Sequence, residues 1–244
     1  MASTADELGG QAQLRSQEER ITRQASKSIA GLVFYDGGIW IRPRTYDRQI
    51  VKESGYYLRL RPKVSDILLD IGANIGAVSW RFLNAGVQRV VAVEPEPSNF
   101  SILQRNLASA RNRSVLVQAA ATSAKGSCRL CLNPGRNKGM HSLIPHNGRR
   151  TIEVRAVSVQ QLIAVHRPTL IKIDIEGGEY GLVAPLSILP EHVRGLALEL
   201  HFFGHNWRSH DAPAIIRRIE EQGFSAVMPP PGSMGNARAH WVSG

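Results

Sequence analysis

Leu68-Leu69-Asp70-Ile71-Gly72-Ala73-Asn74-Ile75-Gly76 decides the fold. The apolar run from Ile67 to Ile71 predicts a buried strand with Asp70 at its end. A turn carrying Gly72 and Gly76 follows. A helix is then expected from Asn74 to Ala85, stopped by Gly86. In an open α/β sheet a nucleotide-like ligand sits here, beyond the carboxyl end of the strand and against the next helix's N-terminus. A dinucleotide fingerprint G-x-G-x-x-G would need glycine where this chain has Asn74 and Ala77. The middle glycine admits a pyrophosphate, so the turn predicts a ligand without one.

Downstream, strands and helices alternate. Strands are expected at Val90–Glu94, Val115–Ala119, Leu170–Ile175, Leu196–Leu200 and Phe224–Met228, with a last short one through Trp241. Ser98 is the expected N-cap of a helix with Phe100, Leu103 and Leu107 on one face. Ser158 caps Val159–Val165, and Glu179–Leu189 is a helix closed by Pro190. Asp211 caps a helix whose Ile215, Ile216 and Ile219 face the core and which Gly223 ends. Cys128–Leu132 and Ile152–Val157 read as two further strands joined through the 18-residue loop Asn133–Arg150. The alternation implies an α/β fold with a doubly wound, mainly parallel sheet. Upstream, residues 1–28 form a polar tail and residues 29–60 an extension. That extension holds a hairpin around a two-residue Gly37-Gly38 turn, then a helix from Tyr46 to Leu60. Residues 61–244 form the main domain.

The 244 residues include 43% hydrophobic positions, which suits one globular α/β domain with decoration. No apolar run reaches the roughly 18 residues that span a bilayer. The polar N-terminus carries Asp6, Glu7, Glu18 and Glu19, unlike a signal peptide, so a cytoplasmic protein without membrane contact is expected. The only two cysteines, Cys128 and Cys131, fall on opposite faces of a strand and read as reduced and structural. The net charge of +10 favours acidic partners, but no block of five like charges concentrates it.

Glu94 ends the second strand, 22 residues after Gly72. An acid about 20 residues past such a turn accepts hydrogen bonds from ribose hydroxyls. Asp70, the glycine turn and Glu94 together point to a ligand site, where each alone would read as structural.

The stretch D-I-G-A-N-I-G (Asp70–Gly76) is joined by V-V-A-V-E-P-E-P-S-N-F-x-x-L-x-x-N (Val90–Asn106), I-K-I-D-I-E-G-G-E (Ile171–Glu179) and L-E-L-H (Leu198–His201). Together these resemble the FkbM family of S-adenosylmethionine-dependent methyltransferases, over roughly Ile39 to Phe224. The resemblance implies a class I methyltransferase fold, a seven-stranded sheet with one antiparallel strand, and methyl transfer to hydroxyl oxygens of sugars and natural products. Carried over by position, Glu94 holds the adenosyl ribose and Gly72, Ala73 and Asn74 line the methionine half. Asp70 faces the ammonium, and Gly76 and Pro95 complete the cofactor wall. Gln118 or a backbone carbonyl serves the adenine.

Charge in a central strand is costly unless paired, so Lys172-Ile173-Asp174-Ile175-Glu176 stands out. One reading is a structural ion pair among Lys172, Asp174 and Glu199. The other has Asp174 and Glu176 facing the methyl group and the acceptor. His201 is the nearest histidine for removing a hydroxyl proton, ahead of His205 and His210. No metal is expected, because the histidine spacing follows no familiar ligand pattern and the carboxylates lack a clear further ligand set. The loop Asn133–Arg150 holds Arg136, Lys138, His141, His146, Arg149 and Arg150. It reads as a basic flap over an acidic acceptor or as plain solvated loop.

The expected activity is therefore methylation of a small, sugar-like or acidic acceptor. A nucleic-acid methyltransferase would fit the charge but lacks interleaved aromatic and basic residues. A catalytically silent assembly subunit and a nicotinamide oxidoreductase are the remaining readings, and Asn74 weighs against the last.

Overall fold

The computed structural model describes residues 31–182, 188–201, 212–228 and 237–243. The chain divides into residues 1–43 and 44–244. In the first unit, Val33–Tyr35 (β1) and Ile39–Ile41 (β2) form an antiparallel hairpin. Tyr35 pairs with Ile39, so the turn has three residues, Asp36-Gly37-Gly38, rather than the expected two. Asp36 and Gly37 both adopt positive φ, at 52° and 70°, conformations that Asp tolerates and Gly takes freely.

The second unit is built on a seven-stranded sheet. In chain order its strands are Ile67–Ile71 (β3), Arg89–Val93 (β4), Ser114–Val117 (β5), Leu170–Ile173 (β9), Gly195–Leu200 (β10), Phe224–Met228 (β11) and Ala237–Ser243 (β12). Their spatial order is β11-β12-β10-β9-β3-β4-β5. The five strands from β10 to β5 run parallel, and β12 runs antiparallel to both neighbours. This bears out the doubly wound α/β expectation. The central strand β3 is buried from Leu68 to Ile71 because helices cover both of its faces. Leu69 and Ile71 face one core with Val159, Leu162 and Ile163 of helix α4 (Val159–His166) and Ile215 and Ile219 of α5 (Ala212–Glu220). Leu68 faces the other core, with Val78 and Phe82 of α2 (Ala77–Asn84) and Phe100 and Leu103 of α3 (Pro97–Asn106). Alternation along the strand thus assigns Asp70 to the α2 side.

A second, three-stranded sheet stands beside the first: Ala120–Thr122 (β6), Gly126–Cys131 (β7) and Thr151–Ser158 (β8), in the order β6-β8-β7. The expected strand at 115–119 is thereby split, since the chain leaves the main sheet after Val117 and re-pairs at Ala120. Cys128 is half-buried and Cys131 buried, both as free thiols.

Other departures are local. Glu96, not Ser98, caps α3: its carboxylate accepts the Asn99 amide and Pro97 takes the first helical position, where its missing N–H costs nothing. Ser158 caps α4 as expected. The segment after β2 is helical over Asp47–Glu53 (α1), then tightens to a 3₁₀ turn over Ser54–Leu60. Gly178–Leu182 is also 3₁₀ rather than α-helical. The remainder of that expected helix at 183–187, the Asp211 cap, His205 and His210, the Pro229–Pro231 run and the 1–28 tail lie outside the described residues. Among the described residues, no helix is long and apolar enough to cross a membrane.

Candidate active site

The carboxyl ends of β3, β4, β9 and β10 open into a cavity of about 230 Å³. Its wall includes Gly72, Ala73, Asn74, Glu94, Pro95, Asp174 and Glu176, all expected from the sequence. The turn after β3 is shaped by positive φ at Gly72 (76°), Asn74 (52°) and Gly76 (85°). A Cβ on Gly72 would lie 1.9 Å from the Asp174 carbonyl oxygen, so glycine is what lets the β3 and β9 ends meet. Gly76 does not line the cavity; a Cβ there would meet Leu103 of α3 at 2.6 Å, which makes it a packing glycine.

Glu94 is buried and held from three sides. Its Oε2 accepts the Asn74 amide at 2.9 Å, and its Oε1 accepts the Glu96 amide at 2.9 Å and Asn99 Nδ2 at 3.4 Å. Burial pushes its pKa up to about 7, against the opposing pull of those hydrogen bonds. Asn74 Oδ1 is buried and meets no hydrogen-bond partner.

Asp70 and Gln118 depart from their expected places. Asp70 does not line the cavity and is fully buried. Its oxygens receive the Ser79 hydroxyl at 2.7 Å and the Lys172 ammonium at 3.2 Å. Asp70 and Lys172 lie directly opposite in register on β3 and β9, so the ammonium that Asp70 faces is the chain's own. Lys172 also donates to the Gly72 carbonyl at 2.7 Å and the Ile71 carbonyl at 3.3 Å. Burial works against its charge, but Asp70 and then Asp174 outweigh it and raise its pKa. Gln118 is exposed and away from the cavity, because the chain swings out of the main sheet after Val117.

At the far wall, β9 and β10 bring carboxylates around one imidazole. His201 Nε2 lies 3.5 Å from Glu176, 3.7 Å from Asp174 and 3.7 Å from Glu199, while its Nδ1 meets Glu179 at 2.9 Å. Burial alone would lower the pKa of His201; the Glu179 hydrogen bond and the surrounding carboxylates override it and push it up to about 10. Burial, then Asp174, Glu199 and Glu179, push Glu176 up to about 8 against the pull of His201. His201 is 1% exposed and stands behind the lining. Glu176, by contrast, lines the cavity.

Three participants, Tyr57, Glu179 and Asn99, escaped the sequence reading. Tyr57, from the 3₁₀ turn, puts its hydroxyl 3.3 Å from both Asp174 and Glu199 and lays its ring 5.6 Å from the Lys172 ammonium. Glu179 orients His201, and its own oxygen also caps the Ile175 amide at 3.0 Å. Asn99 ties Glu94 to the loop at 133–150 by donating to the Lys138 carbonyl at 3.0 Å. That loop is a wall rather than a bare solvated strip: Asn137, Gly139, Met140, His141 and Leu143 line the cavity. Arg136 anchors it to the Arg44 carbonyl at 2.7 Å. Only the position of Asn99, five residues after Glu94 and at the start of α3, carried a sequence signal.

The sheet order, the single antiparallel strand among the described residues and a cavity at the strand ends are those of the class I methyltransferase fold. The Methyltransferase FkbM domain matches residues 70–226, and the chain belongs to that family. Hexuronic acid methyltransferase AglP of Haloferax volcanii is 26% identical over 139 residues, 56% of either chain, so this chain spans about half of that relative's length. Among solved structures, the C-terminal domain of precorrin-6Y C5,15-methyltransferase from Rhodobacter capsulatus is similar at a TM-score of 0.46 and 14% identity, over 79% of this chain and 88% of that one. A ribosomal RNA methylase from Streptococcus thermophilus is similar at a TM-score of 0.49 and 10% identity, over 78% and 94%.

Proposed function

We propose that the chain is an S-adenosylmethionine-dependent O-methyltransferase acting on a hydroxyl of a sugar or a similar small polar acceptor. One observation carries the reading: Glu94, fixed by three hydrogen bonds, shares a cavity with Asp174, Glu176 and Tyr57. The donor set suits the cofactor. Glu94 has lone pairs left for ribose hydroxyls, and the orphaned Asn74 Oδ1 is an acceptor for an ammonium. Pro95 and Ala120 supply apolar wall beside Glu94, in place of the absent Gln118 contact. Once bound, the cofactor supplies a methyl group activated by its sulfonium.

The chain's own residues do the rest. Asp174 and Glu176 orient the acceptor hydroxyl, and Glu176, its pKa pushed up to about 8, takes the proton once it is ionised above that pH. Tyr57 holds Asp174 in place. The loop residues 137–143 and Tyr57 exclude water, and alignment of the reacting atoms supplies much of the rate. The hexuronic acid named for AglP supports a sugar-like acceptor. The test is transfer of a labelled methyl group to a panel of sugars, uronic acids and RNA. Labelled sugar supports the reading. Labelled RNA alone, or no product with any acceptor, overturns it.

A further inference from the structure

The cluster at the ends of β9 and β10 holds more negative charge than the methyl-transfer reading uses. Asp174, Glu176, Glu179 and Glu199 all lie around His201, while Lys172 reaches only Asp174 of the four, at 3.8 Å, and is engaged more closely by Asp70 and the Ile71 and Gly72 carbonyls. Glu179 and Glu199 are 1% and 2% exposed. Buried carboxylates gathered in this way are costly unless a cation joins them. A second observation points the same way. Glu179 Oε2 is fully buried and meets no hydrogen-bond partner, although its other oxygen is doubly used by His201 Nδ1 and the Ile175 amide. One ligand atom each from Asp174, Glu179 and His201 lies within 4.8 Å of the other two. Two ligands on a common divalent cation, with bonds of about 2.1 to 2.4 Å, stand at most about 4.2 to 4.8 Å apart.

We propose that Asp174, Glu179 and His201 form a divalent-cation site in the cavity wall behind Asp174, the cation displacing the His201 proton, with Glu176 and Glu199 completing the negative shell. Carboxylate oxygens beside a single imidazole favour a hard ion that tolerates nitrogen, such as Mn²⁺, over a soft, thiolate-seeking one. The expectation of no metal rested on spacing along the chain. The ligands come from three separate elements, the end of β9, the following 3₁₀ turn and the end of β10, which no spacing motif records. If the methyl-transfer reading holds, a cation here receives the acceptor hydroxyl and makes its proton easier to remove. The site itself does not depend on that reading.

The test uses the full chain, freed of metal by chelation and without cofactor, titrated with Mn²⁺ while the free-ion electron paramagnetic resonance signal is followed. One Mn²⁺ per chain is expected, with affinity reduced at least tenfold in His201→Gln and Glu179→Gln. His166→Gln, at the end of α4, stays within twofold. Should either cluster variant fail to fold, Co²⁺ added to the unaltered chain replaces it, and visible absorption bands of mixed nitrogen and oxygen ligation are expected. No binding by the unaltered chain, or binding that both cluster variants keep, overturns the site. Mn²⁺ binding without methyl transfer leaves the site standing and sinks the proposed reaction; methyl transfer without binding does the reverse.

Discussion

Glu94 Oε2 accepts the backbone amide of Asn74 at 2.9 Å, which locks the end of β4 to the turn after β3. The bond sets both halves of the proposed cofactor contact at once: the carboxylate that would meet the ribose and the positive-φ turn that would meet the methionine half. Glu94→Ala is therefore expected to weaken S-adenosylhomocysteine binding by at least tenfold, the loss of about 1.4 kcal/mol or more that a charge-assisted contact commands. Isothermal titration of the folded variant checks this. Binding equal to that of the unaltered chain would remove Glu94 from the site.

The same residue makes a pH prediction. Burial raises Glu94 from 4.5 in the unfolded chain to about 7. The folded state thus holds this proton more tightly, and the stability it adds is complete below about pH 4.5 and lost as pH rises through about 7. The window corresponds to about 3 kcal/mol at most. Glu94→Gln cannot titrate, so the stability difference between variant and unaltered chain should move in the variant's favour from pH 5 to 8. Parallel urea melts measure it. A difference that stays flat across that range would show that Glu94 is not perturbed. Cofactor affinity should rise over the same interval, because a carboxylate accepts two hydroxyls whereas the acid must donate.

Much of this was legible in the chain. The apolar run ending at Ile71, the glycine turn and Glu94 at the next strand end are local patterns, and local patterns survive folding. What was not legible was pairing across the sheet. Asp70 read as a ligand contact because its neighbour Lys172 is 102 positions away, and the register that sets them opposite belongs to the assembled sheet. Tyr57 lies upstream of every recognised motif and reaches the site only by packing of the 3₁₀ turn on the core. Gln118 was placed by extending a strand that in fact breaks at Val117, where the small β6-β8-β7 sheet takes over the pairing.

The two turn glycines should respond differently to alanine. Both have positive φ, which alone costs about 1 kcal/mol in an L-residue. At Gly72 the new Cβ also meets the backbone oxygen of Asp174 at 1.9 Å, which cannot yield without parting β3 from β9. At Gly76 it meets the tip of the Leu103 side chain at 2.6 Å, which can rotate away. Gly72→Ala should thus cost more than about 3 kcal/mol and Gly76→Ala about 1 to 3 kcal/mol. Denaturant midpoints of the two variants decide it, and equal losses would refute the close approach at Gly72.

Asp70 and Lys172 supply the sharpest test of the reassigned core. Both side chains are essentially inaccessible, and each charge is tolerated because of the other. Lys172→Met should leave Asp70 buried with only the Ser79 hydroxyl, and Asp70→Asn should leave the ammonium with only the Ile71 and Gly72 carbonyls and the more distant Asp174. Each single change is expected to cost about 3 to 5 kcal/mol, whereas the double change should recover a large part of that loss because no unpaired buried charge remains. Additive losses would mean that the pair is not coupled. The cofactor readout separates structure from contact: the folded double variant should still bind S-adenosylhomocysteine within a few-fold of the unaltered chain. If binding vanishes while the fold persists, Asp70 acts on the ligand after all, as its place in the turn motif first indicated.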